Sequence, residues 1–149
     1  MTLKEKIYQH YLQLVNEKIS LLEQVMVELK ESGANETKST AGDKHETALA
    51  MLQIEQANKR TQLKELNDQK AILNNINPTL TPEVILNGSL VKANGKYFFI
   101  STALGKANIE GHSVIALSPQ SPLGQQLMGL IPNKIIVLNN TTYIIESIS

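Results

Sequence analysis

Asp43 and Glu46 are two carboxylates three residues apart, inside the run Ser39-Thr40-Ala41-Gly42-Asp43-Lys44-His45-Glu46-Thr47-Ala48. Two chemistries fit that spacing. One is structural: Asp is a preferred helix N-cap, Glu three residues later completes a capping box, and both suit the positive end of a helix dipole. The other is divalent-metal binding by exposed acids. Two carboxylates cannot fill the octahedral shell of Mg²⁺ by themselves, so such a pair would carry part of a site to ligands held by a partner or a phosphate. Glu36 is close enough in sequence to join them, or is a solvated loop carboxylate. His10, His45 and His112 are scattered and there is no cysteine, so neither a histidine cluster nor a thiolate site is expected.

The flanking segments must position this pair. Thr2-Leu3-Lys4-Glu5 reads as a capping box. After it Tyr8, Leu12, Val15, Ile19, Leu22, Met26 and Leu29 recur at steps of four and three, a heptad seam, with Tyr11, Leu14, Leu21 and Val25 beside it. Some thirty helical residues give a length of about 45 Å. Ser32-Gly33 is expected to end the helix, with Gly33 as a left-handed cap. A second helix is expected from Asp43 to about Leu73, with a sparser stripe of Ala48, Leu49, Leu52, Ile54, Ala57, Leu63, Leu66 and Leu73 that Gln56 and Lys59 interrupt. The pair of helices makes an antiparallel hairpin, a projecting rod whose tip lies near residues 34–46.

Composition divides the chain in two. Residues 1–77 hold 21 of the 28 charged side chains, while all five prolines and six of the eight glycines come later. The expected domains are a coiled-coil hairpin over 1–77 and a sheet domain over 78–149, joined near Asn74-Asn75-Ile76-Asn77-Pro78. Asn94-Gly95 between Gly88–Lys92 and Lys96–Ser101 is a two-residue hairpin signal, and Asn139-Asn140-Thr141 marks another. Residues 113–117 are a short third strand. Ser121-Pro122 places an N-cap before a proline at N1 of a short helix carrying Leu123, Leu127 and Leu130. The fold class is α+β: a helical hairpin, then a small antiparallel sheet with one short helix. Acidic and basic side chains balance at 14 each, so bulk attraction to nucleic acid or membrane is not expected. There is no apolar run of signal-peptide or membrane-span type, and cytoplasmic residence fits.

Gly42-Asp43-x-x-Glu46-x-Ala48 at the tip of such a hairpin resembles the GreA/GreB family, the transcript-cleavage factors of bacterial RNA polymerase. Ser121-Pro122-Leu123-Gly124-Gln-Gln-Leu127-Met-Gly129, the strand at 134–138 and Tyr143-Ile-Ile-Glu146 resemble it in order and spacing. The resemblance implies an FKBP-like sheet domain that docks on RNA polymerase, with Ser121, Pro122, Leu123 and Gln125 as partner-binding residues. A simple helix cap accounts for the same loop. It further implies that the hairpin enters the polymerase secondary channel, where Asp43 and Glu46 help to hold a Mg²⁺ shared with the polymerase active site. Cleavage of the nascent RNA 3′ end would follow by two-metal hydrolysis. The chain would then be no enzyme itself and would bind no metal alone. The resemblance also implies DNA binding, and RNA contact by Lys59, Arg60 and Lys64. With Glu55 and Glu65 interspersed, intrahelical pairing is the competing account of those cations. The family pattern after the aspartate is Leu-Ser-Glu-Asn-Ala-Glu-Tyr, whereas this chain reads Lys44-His45-Glu46-Thr47-Ala48-Leu49-Ala50. Lys44 would oppose Mg²⁺ or contact a phosphate. A channel-occupying regulator without cleavage activity is therefore the alternative function, and a coiled-coil interaction module the third.

Overall fold

The computed structural model describes residues 1–37 and 42–149, and the side chains of all of these except 35–37 and 42–45. They form two compact units: Gln13–Lys70, and Met1–Leu12 together with Ala71–Ser149.

The first of these is built from two helices, α1 (Leu3–Thr37) and α2 (Gly42–Asn74). The seam read from the sequence is the buried side of α1: Val15, Ile19 and Leu22 are buried, and Met26 and Leu29 partly so. On α2 the covered positions include Leu49, Leu52, Gln56, Lys59, Leu63 and Leu66, again at steps of three and four, and they continue through Gln69 to the buried Leu73. Ala48, Ile54 and Ala57 lie off that line and face water. The helices run antiparallel, with Gly33 beside Leu52, Leu29 beside Gln56, and Leu22 beside Leu66.

Gly33 does not end α1, which runs on to Thr37. A Cβ on Gly33 would lie 3.2 Å from Leu52 Cδ2 and 3.6 Å from Gln56 Nε2. The glycine therefore serves close approach of α2, a tertiary reason that outweighs its suitability as a local stop signal. Gln56 occupies a core position of the seam and donates only a long bond, 3.3 Å, to the Leu29 carbonyl. A polar residue at such a position costs stability. Gln56→Leu is expected to stabilise this unit by about 1 kcal/mol, measured by thermal unfolding in far-UV circular dichroism. A lowered melting temperature would mean that the Leu29 contact outweighs the burial gained.

The second unit contains β1 (Leu90–Ala93), β2 (Lys96–Ile100), β3 (Gly105–Ile109), β4 (His112–Leu117), α3 (Pro122–Leu127), β5 (Ile135–Leu138) and β6 (Thr141–Ile148). The six strands are ordered β3-β4-β2-β1-β6-β5. All pairs are antiparallel except β2 with β4, so the sheet is mixed. Asn94 and Gly95 both have positive φ, as the primed hairpin turn requires. Asn94 is also tied across to β6, its Nδ2 donating to the Thr142 carbonyl at 2.8 Å, while Gly95 N donates to Glu146 Oε2 at 3.0 Å.

Strand alternation gives the sheet two faces. Val91, Ala93, Phe98, Ile100, Leu117 and Ile145 line one, and Leu127 of α3 with Ile85 closes it. On the other, the first turns of α1 supply Tyr11, whose ring stacks on Phe99 with centroids 6.2 Å apart. Tyr11 Oη donates to the Gly105 carbonyl and Tyr8 Oη to the Leu73 carbonyl, each at 2.9 Å. At the start of α1, Thr2 Oγ1 accepts from Glu5 N at 3.2 Å, the cap expected from the sequence. Residues 1–12 thus belong to the sheet unit through buried aromatic packing, although they are continuous in sequence with the charged half.

Candidate functional site

The chain passes from α1 to α2 between Thr37 and Gly42, at the closed end of the hairpin. α2 opens Gly42-Asp43, so Asp43 stands inside the first turn of the helix instead of capping it, and Glu46 follows one turn on. Residues three apart on a helix are surface neighbours. The Glu46 side chain is exposed. The side chains of Asp43, Glu36, Lys44 and His45 lie outside the described residues. Among the described residues no three Asp, Glu, His or Cys side chains gather as a metal-binding group. The chemistry available to this end is that of a partial ligand set, one that needs further oxygen donors from elsewhere.

Lys59, Arg60 and Lys64 of α2, the cations expected to contact RNA, are placed differently from one another. Lys59 pairs with Glu55 at 3.6 Å and Lys64 with Asp68 at 3.1 Å, both within the helix. Lys64–Asp68 is an exposed pair and weak, and it would not prevent Lys64 from turning to a phosphate, whereas the Lys59 stem is partly covered in the seam and only its paired head reaches water. Arg60 makes no ion pair among the described residues and lines a groove of about 400 Å³ with Lys30, Gln56, Met26 and Val27. Lys30 was not singled out in the sequence, where nothing local distinguishes it from the other charged residues of α1. Its partner cation sits on the other helix, and only the register of the hairpin brings them together.

The segment after β4 is a built cap. Ser121 Oγ donates to the Ser118 carbonyl at 2.6 Å and accepts from Gly124 N at 3.1 Å, with Pro122 opening α3. Gly124 is buried, and a Cβ there would come within 2.1 Å of the Ser118 carbonyl oxygen. Leu123 packs against the core. Of the four expected partner-binding residues, Ser121 and Leu123 are engaged inside the unit. Pro122 and Gln125 are exposed, with Gln125 Nε2 donating to the Gln120 carbonyl at 3.0 Å. An outward Pro122-Gln125 edge on a rigid cap is a surface that a partner can reach.

The chain matches no family model and no curated protein. The chain is similar to the crystal structure of GreA factor homolog 1 (Gfh1) of Thermus thermophilus, with 17% identity over 97% of this chain and 93% of that one, at a TM-score of 0.35. A second solved structure, of the transcription factor Gfh1, also gives 17% identity and a TM-score of 0.35, over 96% and 91% of the two chains. No helix among the described residues is long and apolar enough to cross a membrane.

Proposed function

We propose that this chain binds RNA polymerase, inserts its hairpin into the secondary channel and stimulates cleavage of backtracked RNA. The observation that carries the reading is the position of the acids: α1 ends at Thr37, α2 begins at Gly42, and the Asp43/Glu46 pair falls at the closed end of a narrow two-helix unit. From Gln13 to Thr37 the helix rises about 37 Å, long enough for its end to reach a centre buried inside a partner. Asp43 and Glu46 contribute two of the oxygens that an octahedral ion needs, and polymerase carboxylates and the RNA phosphate would contribute the rest. Mg²⁺ held there supplies charge neutralisation at the phosphate and a water of lowered pKa. The chain's own part is to present the carboxylates and to keep them oriented on a helical turn. Lys59, Arg60 and Lys64, with Lys30 across the groove, would hold the extruded RNA by its phosphates. The hydrolytic centre belongs to the polymerase, and this chain is a factor and not itself an enzyme.

The test is transcript cleavage in reconstituted backtracked complexes with the double variant Asp43→Ala/Glu46→Ala. Stimulated cleavage is expected to fall on the order of 100-fold, with polymerase binding retained. If the wild-type chain binds and slows elongation but never promotes cleavage, the Lys44-His45 departure has made it a channel-occupying regulator. No association with polymerase at all would leave the acids as helix-terminal residues of an interaction module.

A further inference from the structure

Among the described residues Lys4 is the one lysine, arginine, histidine or carboxylate side chain that is buried, at 5% exposure. Its Nζ donates to the Leu80 carbonyl at 2.6 Å and makes no ion pair among the described residues. An ammonium normally keeps its head in water or beside a carboxylate, because desolvating it unpaired is costly. Burial here lowers the Lys4 pKa, with no acid opposing the shift. One N–H of the ammonium is used by the neutral carbonyl, which leaves two donors.

Lys4 lines two pockets of the sheet unit. One, of about 240 Å³, has Glu5 in its wall. The other, of about 400 Å³, has no carboxylate in its wall and three asparagines: Asn75, Asn77 and Asn87. Asn77 Oδ1 accepts from Thr79 N at 3.0 Å and from Thr79 Oγ1 at 2.6 Å, so its amide keeps the N–H donors. The Asn75 and Asn87 side chains make no hydrogen bond among the described residues. Ile76, Leu80 and Leu86 complete the wall with apolar surface.

We propose that the larger of these pockets binds a small organic anion, its carboxylate or phosphate head taken by the Lys4 ammonium and the asparagine amides. A buried cation without a counter-charge, asparagine amides that can turn their N–H donors inward and an apolar remainder are the lining such a ligand needs, and the volume lies at the lower end of small-molecule sites. The site is separate from the tip acids, and it stands or falls independently of the polymerase reading.

The full chain, labelled with ¹⁵N, is titrated with sodium phosphate and separately with sodium succinate, against sodium chloride of equal ionic strength. Saturable shifts are expected at the side-chain amides of Asn75 and Asn87 and at the Gly88 backbone, and the tighter of the two anions identifies the head group. Lys4→Met, which keeps the apolar stem, is expected to weaken binding by about tenfold. If that variant does not fold, Asn87→Ala, at an exposed side chain with no internal bond, must weaken binding severalfold. Shifts equal to those in chloride, or unchanged affinity in whichever variant is folded, would overturn the proposal.

Discussion

Gly124→Ala is expected to destabilise the sheet unit by about 3 kcal/mol, lowering its melting temperature on the order of 15 °C. The added methyl would sit 2.1 Å from the Ser118 carbonyl oxygen and 2.9 Å from Pro119 Cα. Both neighbours are backbone, so no side-chain rotation relieves the overlap. The loop cannot retreat cheaply either. Ser118 O accepts from Ser121 N at 3.0 Å and from Ser121 Oγ at 2.6 Å, and Gly124 O accepts from Met128 N at 3.1 Å. Moving it would loosen Leu127, which is 1% exposed in the main core. Alanine is the better helix former by about 1 kcal/mol, which offsets only part of this loss. Thermal unfolding followed by near-UV circular dichroism of the sheet-unit tyrosines measures the effect. Unchanged stability would mean that residues 118–121 can shift without strain. The same variant separates two roles of this segment. Loss of the proposed polymerase binding in Gly124→Ala that tracks its unfolding would be structural, whereas loss in a Pro122→Ala/Gln125→Ala chain of normal stability would place the proposed contact on the exposed edge.

What could be read in the sequence was whatever local chemistry decides. Thr2 and Ser121 cap their helices because a hydroxyl before a helical run has an amide to accept from, wherever the helix lies. Asn94-Gly95 turns the chain because those residues tolerate positive φ. The heptad seam of α1 survives because its period is long and regular. Elements settled by distant contacts were not legible. β3 reads Gly-Lys-Ala-Asn-Ile, with neither alternation nor β-branched enrichment, and it is a strand because it pairs with β4 across the Glu110-Gly111 turn. Glu110 adopts φ 51°, an unusual turn residue that no composition rule picks out. The parallel pairing of β2 with β4 depends on β3 forming an edge of its own, so a sheet expected to be wholly antiparallel is mixed. Gly33 looked like a stop and is a contact. At the candidate sites the same division holds: the positions of Asp43 and Glu46 along the chain follow from helix periodicity, but the meeting of Lys4 with Asn75 and Asn87 follows from tertiary packing alone.

Tyr11→Ala is expected to be the most damaging single truncation in the sheet unit, at about 4 kcal/mol. The side chain is fully buried, so its removal leaves a cavity on the face of the sheet opposite Phe98. Phe99 loses a stacked ring at 6.2 Å and 23° between planes. The Gly105 carbonyl at the start of β3 loses its donor at 2.9 Å. Burial raises the Tyr11 phenol pKa, partly offset by the Ala116 backbone amide, so the hydroxyl stays a proton donor across the neutral range. Tyr11→Phe keeps the ring and discards only the bond to Gly105, for an expected loss of about 1 kcal/mol. The contrast between the two variants distinguishes ring packing from hydrogen bonding as the attachment of residues 1–12 to the sheet. Total stabilities of domains this size are about 5–15 kcal/mol, so Tyr11→Ala should leave the first turns of α1 exchanging amide hydrogen far faster than β2. Equal losses in the two variants would show that the hydroxyl, and not the ring, pins the helix to Phe99. Protection of residues 3–12 that is unchanged in Tyr11→Ala would mean that Ile7 and Tyr8, both buried, hold the segment without it.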